Sequence, residues 1–223
     1  MPRIKSAKKK FFLQYTIFCV HLSRQKIYVD MKDTKKIIQS LAYIAWNIDK
    51  SHMDNMKAYK LLWLADRYQL RLSGRSVSGD TYYAMPYGLV PSDAKCILEN
   101  EHTKLANDAE YCHKFIKSID KRHYSVMTEP DTDQFSESDI EALDKVITMF
   151  GNLEPLQLSE LSHKFPEWTY YQEMLADKDE KNSYRVNIDH FFENCDEDCN
   201  GLFDQDSELL ALTKDLYHQY NRI

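Results

Sequence analysis

A chain of 223 residues, 43% hydrophobic and 29% charged, can bury a sizeable core and suits one globular domain with appendages. Only 5 Gly and 6 Pro argue against a turn-rich β sandwich and for a helical protein. The formal charge of −6 is uneven: residues 1–30 carry seven Lys/Arg against Asp30 alone, whereas residues 31–223 carry 22 basic and 34 acidic residues, a net of −12. An acidic body repels phosphate backbones and suits a basic protein partner, so no nucleic acid is expected. The 5 cysteines are odd in number and scattered, which fits a reducing compartment and a cytoplasmic location.

Residues 1–30 open with MPRIKSAKKK and continue FFLQYTIFCVHL. The apolar run is interrupted by Gln14 and His21, lacks a small-residue cleavage site and is too short to span a bilayer, so no membrane is expected. Amphipathic patterning begins directly after it, which makes Met31 the expected functional start and 1–30 a non-domain extension. Asp33 or Thr34 can cap a helix with the core face Ile37, Ile38, Leu41, Ala45 and Ile48. Ser51 or Asp54 can cap the next, whose stripe is Ala58, Leu61, Leu62, Ala65, Tyr68 and Leu72. Trp63 and Leu64 widen this stripe until one turn is apolar nearly all round, so the helix is expected at the centre. Gly74 can end it in the left-handed conformation. Short β-like runs follow, at Val77 and Tyr82–Ala84, around the turn signal Ser78-Gly79-Asp80, and Pro91 can open a helix that buries Ala94, Ile97 and Leu98.

Asn100 to Asp108 reads as a polar loop, and Tyr111, Phe115, Ile116 and Ile119 as a short helix. His123–Thr128 reads as a strand and is expected to pair with Tyr82–Met85. Ser136 to Asp139 forms a capping-box pattern before Ile140, Leu143, Val146, Ile147 and Phe150, with Gly151 closing the helix. Asp177–Ser183 is a charged loop. Asp189 can cap a helix holding Phe191 and Phe192, and Leu209, Leu212, Leu216 and Tyr220 form a last stripe. The expected fold is mostly α with a small β element (α+β). It comprises a single compact helical domain over 31–194 with a short antiparallel sheet, and an acidic C-terminal helical extension over 195–223.

Candidate chemistry is sparse. Asp66 shares a helix face with Tyr59, Leu62 and Trp63, so its carboxylate needs a partner: Arg75, a tyrosine hydroxyl or backbone N–H groups of the following loop. Lys57, Lys60, Arg67 and Arg71 form a basic stripe that reads as a solvated or salt-bridged face rather than a nucleic-acid contact. Ser162 and His163 are neighbours in sequence and do not make a triad; a hydrolase would need Asp66 within hydrogen-bond reach of His163. Cys195 and Cys199 lack the C-x-x-C spacing of a zinc site, Asp204-Gln205-Asp206 lacks the glycine of a calcium loop, and no phosphate-binding glycine motif occurs. The residues alone therefore indicate no enzyme, no metal and no cofactor.

Lys60-Leu61-Leu62, Leu64-Ala65-Asp66-Arg67, Gly74-Arg75, Gly79-Asp80 and Tyr87-Gly88-Leu89-Val90-Pro91-Ser92 occur in an order that resembles the Panacea domain, the SocA-like family of bacterial and phage antitoxins. Leu89 stands where that family usually has Pro. Leu158–Trp168 is similar to its second region, a short helix with a Ser/Thr-His pair before a Trp. The resemblance implies a non-enzymatic prophage or bacterial antitoxin that binds a cognate toxin protein in a hetero-oligomer. It also marks Lys60, Asp66, Arg75, Gly79, Asp80, Gly88, Pro91, His163 and Trp168 as structural motif residues. A transcriptional regulator or proteolytic adaptor protein is the alternative. Interfaces favour Tyr and Arg as anchors, so Tyr83, Tyr87 and Arg67 are the expected partner-binding residues.

Overall fold

The chain is described from a computed structural model, which covers residues 33–99, 108–177, 181–195 and 201–221. The extension over 1–30 and the start at Met31 lie outside the described residues, as do parts of the loops expected at 100–108 and 177–183. Asp33 accepts the amides of Lys35 and Lys36 and starts α1 (Thr34–Ile48), which buries Ile37, Ile38, Leu41, Ile44 and Ala45 completely. A short β1 (Met53–Asp54) leads into α2 (Asn55–Ser73), where the Asp54 carboxylate caps the Lys57 amide at 2.9 Å. At its far end Gly74 (φ +71°) returns its N–H to the Leu70 carbonyl. β2 (Tyr82–Met85), β3 (Gly88–Pro91), α3 (Ser92–Leu98), α4 (Ala109–Phe115), β4 (Ile116–Ser118) and β5 (His123–Val126) follow. Next come α5 (Glu137–Phe150), α6 (Pro155–Ser162), α7 (Pro166–Thr169), α8 (Gln172–Ala176), β6 (Tyr184–Arg185) and α9 (Ser207–Tyr220).

α2 is the axis. α1, α5, α6, α9 and β3 all pack against it, so Leu61, Leu62, Trp63, Leu64, Ala65 and Leu70 have no exposed surface. Each such leucine contributes about 1.5–3 kcal/mol of hydrophobic stabilisation. α5 carries the expected capping box, Ser136 and Asp139 bonding each other's amides. Its Asp139 carboxylate is buried and lies 2.8 Å from both Lys36 Nζ and Arg75 Nη2. Burial alone would raise that carboxyl's pKa, but the two cations outweigh it and hold it lowered.

The fold is mostly α with small antiparallel sheets. The strand at His123–Val126 does not pair with Tyr82–Met85. Among the described residues two three-stranded sheets form, ordered β1-β5-β4 and β3-β2-β6. Both edges of β2 are taken, by β3 and by Tyr184–Arg185, which leaves no site for β5. β5 is instead held at the start of α2: Asn55 donates to the Arg122 carbonyl (2.7 Å), Val126 to the Lys50 carbonyl (2.8 Å), and the Tyr124 hydroxyl to the Leu41 carbonyl (2.9 Å). Its hairpin partner is Ile116–Ser118, where the expected helix has already ended. Val77 joins no strand, although it is buried. Asn187, not Asp189, caps the 3-10 turn Ile188–Phe192, and Asp189 pairs instead with Lys214 and His218 of α9.

The basic stripe of α2 is not solvated: Lys60, Arg67 and Arg71 are all fully buried. Arg67 forms a buried ion pair with Glu167, which also accepts from Trp63 Nε1 at 2.9 Å. Its guanidinium lies 4.7 Å from the ring centre of Phe165 and 5.3 Å from that of Phe203, and it donates to the Glu193 carbonyl at 2.7 Å. Arg71 donates to the carbonyls of Phe191, Glu193 and Phe203 and to Gln205 Oε1. Two planar guanidinium forks thereby satisfy the carbonyls of Phe191, Glu193 and Phe203. α9 closes over the end of α2, with Thr213 Oγ1 3.3 Å from the Arg71 carbonyl.

Removing one partner of a buried ion pair strands the other charge. Glu167→Gln should lower unfolding stability by about 3–5 kcal/mol. Glu99→Gln, which breaks the half-exposed i,i+4 pair with Lys95, should change it by less than about 0.5 kcal/mol. Urea denaturation of the two variants checks the contrast.

Candidate functional site

The residues that carry the family pattern converge on one hairpin. Lys60, fully buried on α2, donates to the carbonyls of Tyr87 (2.6 Å) and Leu89 (2.9 Å), along the edge of β3 that faces away from β2. An ammonium therefore stands where a neighbouring strand would otherwise pair. Ser159 of α6 adds a third donor, to the Tyr87 carbonyl at 2.9 Å, and Trp168 Nε1 of α7 donates to the Met85 carbonyl at 2.9 Å. His163 stacks on Trp168 with ring centres 3.9 Å apart. Gly88 is required twice over. Its φ is +91°, and a Cβ there would overlap Ser162 Oγ and lie 2.6 Å from Lys60 Nζ. α6 is thus pressed onto the hairpin with no room for a side chain between them.

Burial sets the charge states. Among the described residues no carboxylate lies within hydrogen-bond reach of the Lys60 ammonium, and desolvation pulls its pKa down to about 7. Desolvation, reinforced by the nearby Lys60, also lowers the pKa of His163, which favours the neutral imidazole.

The loop before the hairpin is built the same way. Asp66 accepts from the Ser78 amide (2.8 Å), the Ser78 hydroxyl and the Tyr82 hydroxyl (2.7 Å). Burial raises the Asp66 pKa and these bonds oppose the rise. Of the partners expected for Asp66, a tyrosine hydroxyl and a loop amide are present; Arg75 is engaged by Asp139 instead. Gly79 turns the chain at φ +70°. Asp80 accepts the amides of Thr81, Asp93 and Ala94, so it caps α3 from across the loop, just after Pro91 and Ser92. Burial pushes its pKa up to about 7 against those three bonds.

The expected partner-binding residues separate. Tyr87, at the hairpin tip, is 68% exposed, Tyr83 is half-buried, and Arg67 is fully buried against Glu167. Arg67 therefore cannot centre an exposed patch, because Glu167, two phenyl rings and the Glu193 carbonyl already enclose it. Leu156 is exposed one turn before Ser159 on α6. Asp66 and His163 are committed separately, to Ser78 and Tyr82 and to the Trp168 ring, so they do not form a hydrolytic pair. Among the described residues no group of three His, Cys, Asp or Glu is placed to hold a metal ion, and no helix is long and apolar enough to cross a membrane. Ser159 and Glu167 lie in the Leu158–Trp168 stretch that resembles the family's second region, but the sequence assigned neither a contact.

Lys60 gives this site a pH signature. Its folded pKa lies near 7 and the ordinary value of a lysine is 10.5, so between these values the unfolded chain holds a proton that the folded chain has released. This group alone makes unfolding free energy rise with pH across that window. Lys60→Met should destabilise the fold and flatten the rise between pH 7 and pH 10, as read by urea midpoints at several pH values.

Residues 59–169 match the family model described as antitoxin SocA-like, Panacea domain. No curated protein and no solved structure matches the chain. The matched span opens one residue before Lys60 and closes one residue after Trp168, the two ends of the hydrogen-bonded clasp around the hairpin. Residues 59–169 thus carry the Panacea domain of the SocA-like antitoxin family.

Proposed function

We propose that the protein is a cytoplasmic, prophage-type antitoxin that neutralises a cognate toxin protein by direct contact in a hetero-oligomer, without catalysis and without a cofactor. On this reading residues 31–194 are the functional domain and 195–223 an extension, whose described helix α9 packs on α2. The observation that carries this reading is the exposed Tyr87 on a hairpin whose backbone is bonded by Lys60, Ser159 and Trp168. A tyrosine held in place before binding loses little conformational freedom on contact, and tyrosine is a favoured interface anchor. Tyr83 extends the patch. Family membership supports a non-enzymatic role. The regulator reading loses its main support, since three of the four cations on the α2 stripe, Lys60, Arg67 and Arg71, are buried and cannot reach phosphates.

Tyr87→Ala should weaken binding of the toxin encoded beside this protein by about 30-fold, the ~2 kcal/mol of an anchoring residue, and remove protection in a co-expression growth assay. Circular dichroism and the melting temperature should stay at the wild-type values. A folded Tyr87→Ala that protects as well as wild type places the toxin elsewhere. Gel shifts with the protein's own promoter should show no complex at physiological salt, and tight, sequence-selective binding there would reinstate the regulator.

A further inference from the structure

Away from the clasp, the sheet β1-β5-β4 ends in a strand that, among the described residues, pairs on one side only. Ile119 donates to the His123 carbonyl at 2.9 Å, which fixes the alternation of the hairpin. Lys117, opposite Ser125, turns its backbone groups toward β5, so the N–H and C=O of Ser118 and the C=O of Ile116 point outward. The Ile116 N–H is already given to the Cys112 carbonyl at the end of α4. One large apolar side chain stands in the open at the end of this edge, Ile119 at 45% exposure.

The charge along the edge is cationic in an otherwise acidic molecule. Lys114, Lys117, Lys121 and Arg122 are exposed. The carboxylate within the hairpin, Asp120, is folded back onto the amides of Arg122 and His123 and the His123 ring. The carboxylates nearest in sequence, Glu110 and Glu129, lie on α4 and beyond β5.

We propose that the outer edge of β4 receives an extended acidic–aliphatic segment of a partner protein as an added strand. Ser118 and Ile116 supply the backbone hydrogen bonds and Lys117 the charge pairing. A second copy of this chain is the poorer occupant, since antiparallel self-pairing through this three-residue strand brings Lys117 against its own equivalent. The same lysine that keeps copies apart attracts an acidic strand. This surface is separate from the Tyr87 patch and does not depend on a toxin binding there.

The test uses the full chain and two fluorescein-labelled peptides, an alternating Glu-Val heptamer and its Lys-Val twin, with binding followed by anisotropy. The acidic peptide should saturate, and the basic twin should bind at least about tenfold more weakly. Lys117→Glu should weaken the acidic peptide by about tenfold or more, and Ser118→Pro, which removes the outward N–H, should abolish its binding. Amide exchange at Ser118 should slow when the acidic peptide is bound, and Tyr87→Ala should leave all of this unchanged. Absence of saturable binding at millimolar peptide, equal binding of both peptides, or full binding by Lys117→Glu would overturn the proposal. So would concentration-dependent dimerisation through this edge. Should Ser118→Pro fail to fold, Lys117→Glu alone decides.

Discussion

A buried cation must find acceptors or lose its charge, and α2 buries three of them. Lys60, Arg67 and Arg71 lie on a helix that is also the apolar axis of the molecule, so no solvent can satisfy them. Each draws a different part of the chain inward. Lys60 takes the carbonyls of the β2–β3 hairpin, Arg67 takes Glu167 and the Glu193 carbonyl, and Arg71 takes the carbonyls of Phe191, Glu193 and Phe203. Segments distant in sequence are thereby located by side chains of one helix. The cost of desolvating each cation makes these attachments specific, because an alternative packing would leave a charge unpaired.

The groups that look catalytic in the sequence work as supports for the same reason. Asp66 closes the Ser78 loop, Asp80 caps α3, and His163 stacks on Trp168 beneath the hairpin. Their perturbed pKa values reflect burial in the scaffold, where Asp66 accepts from Ser78 and Tyr82 and Asp80 from Thr81, Asp93 and Ala94. What this framework presents to solvent is a short, braced hairpin tip with Tyr87 outward.

Local signals in the sequence determined much of this: the caps at Asp33, Asp54 and Ser136, the left-handed stop at Gly74, and α2 as the central helix. Each depends on side chains within four residues of one another or on a periodic apolar stripe, and such signals survive in a linear string. The family's ordered motifs likewise marked Lys60, Gly88 and Trp168 before their contacts were known. Only the tertiary structure decided the long-range pairings. His123–Val126 joined β1 and β4 because both edges of β2 were filled, one of them by a strand about a hundred residues later. Arg75 went to Asp139 rather than Asp66, and Arg67, expected at the surface, went inside to Glu167 across 100 residues. A charged residue on a helix announces its need for a partner but not the partner's position, because burial depends on which distant segments happen to cover that face.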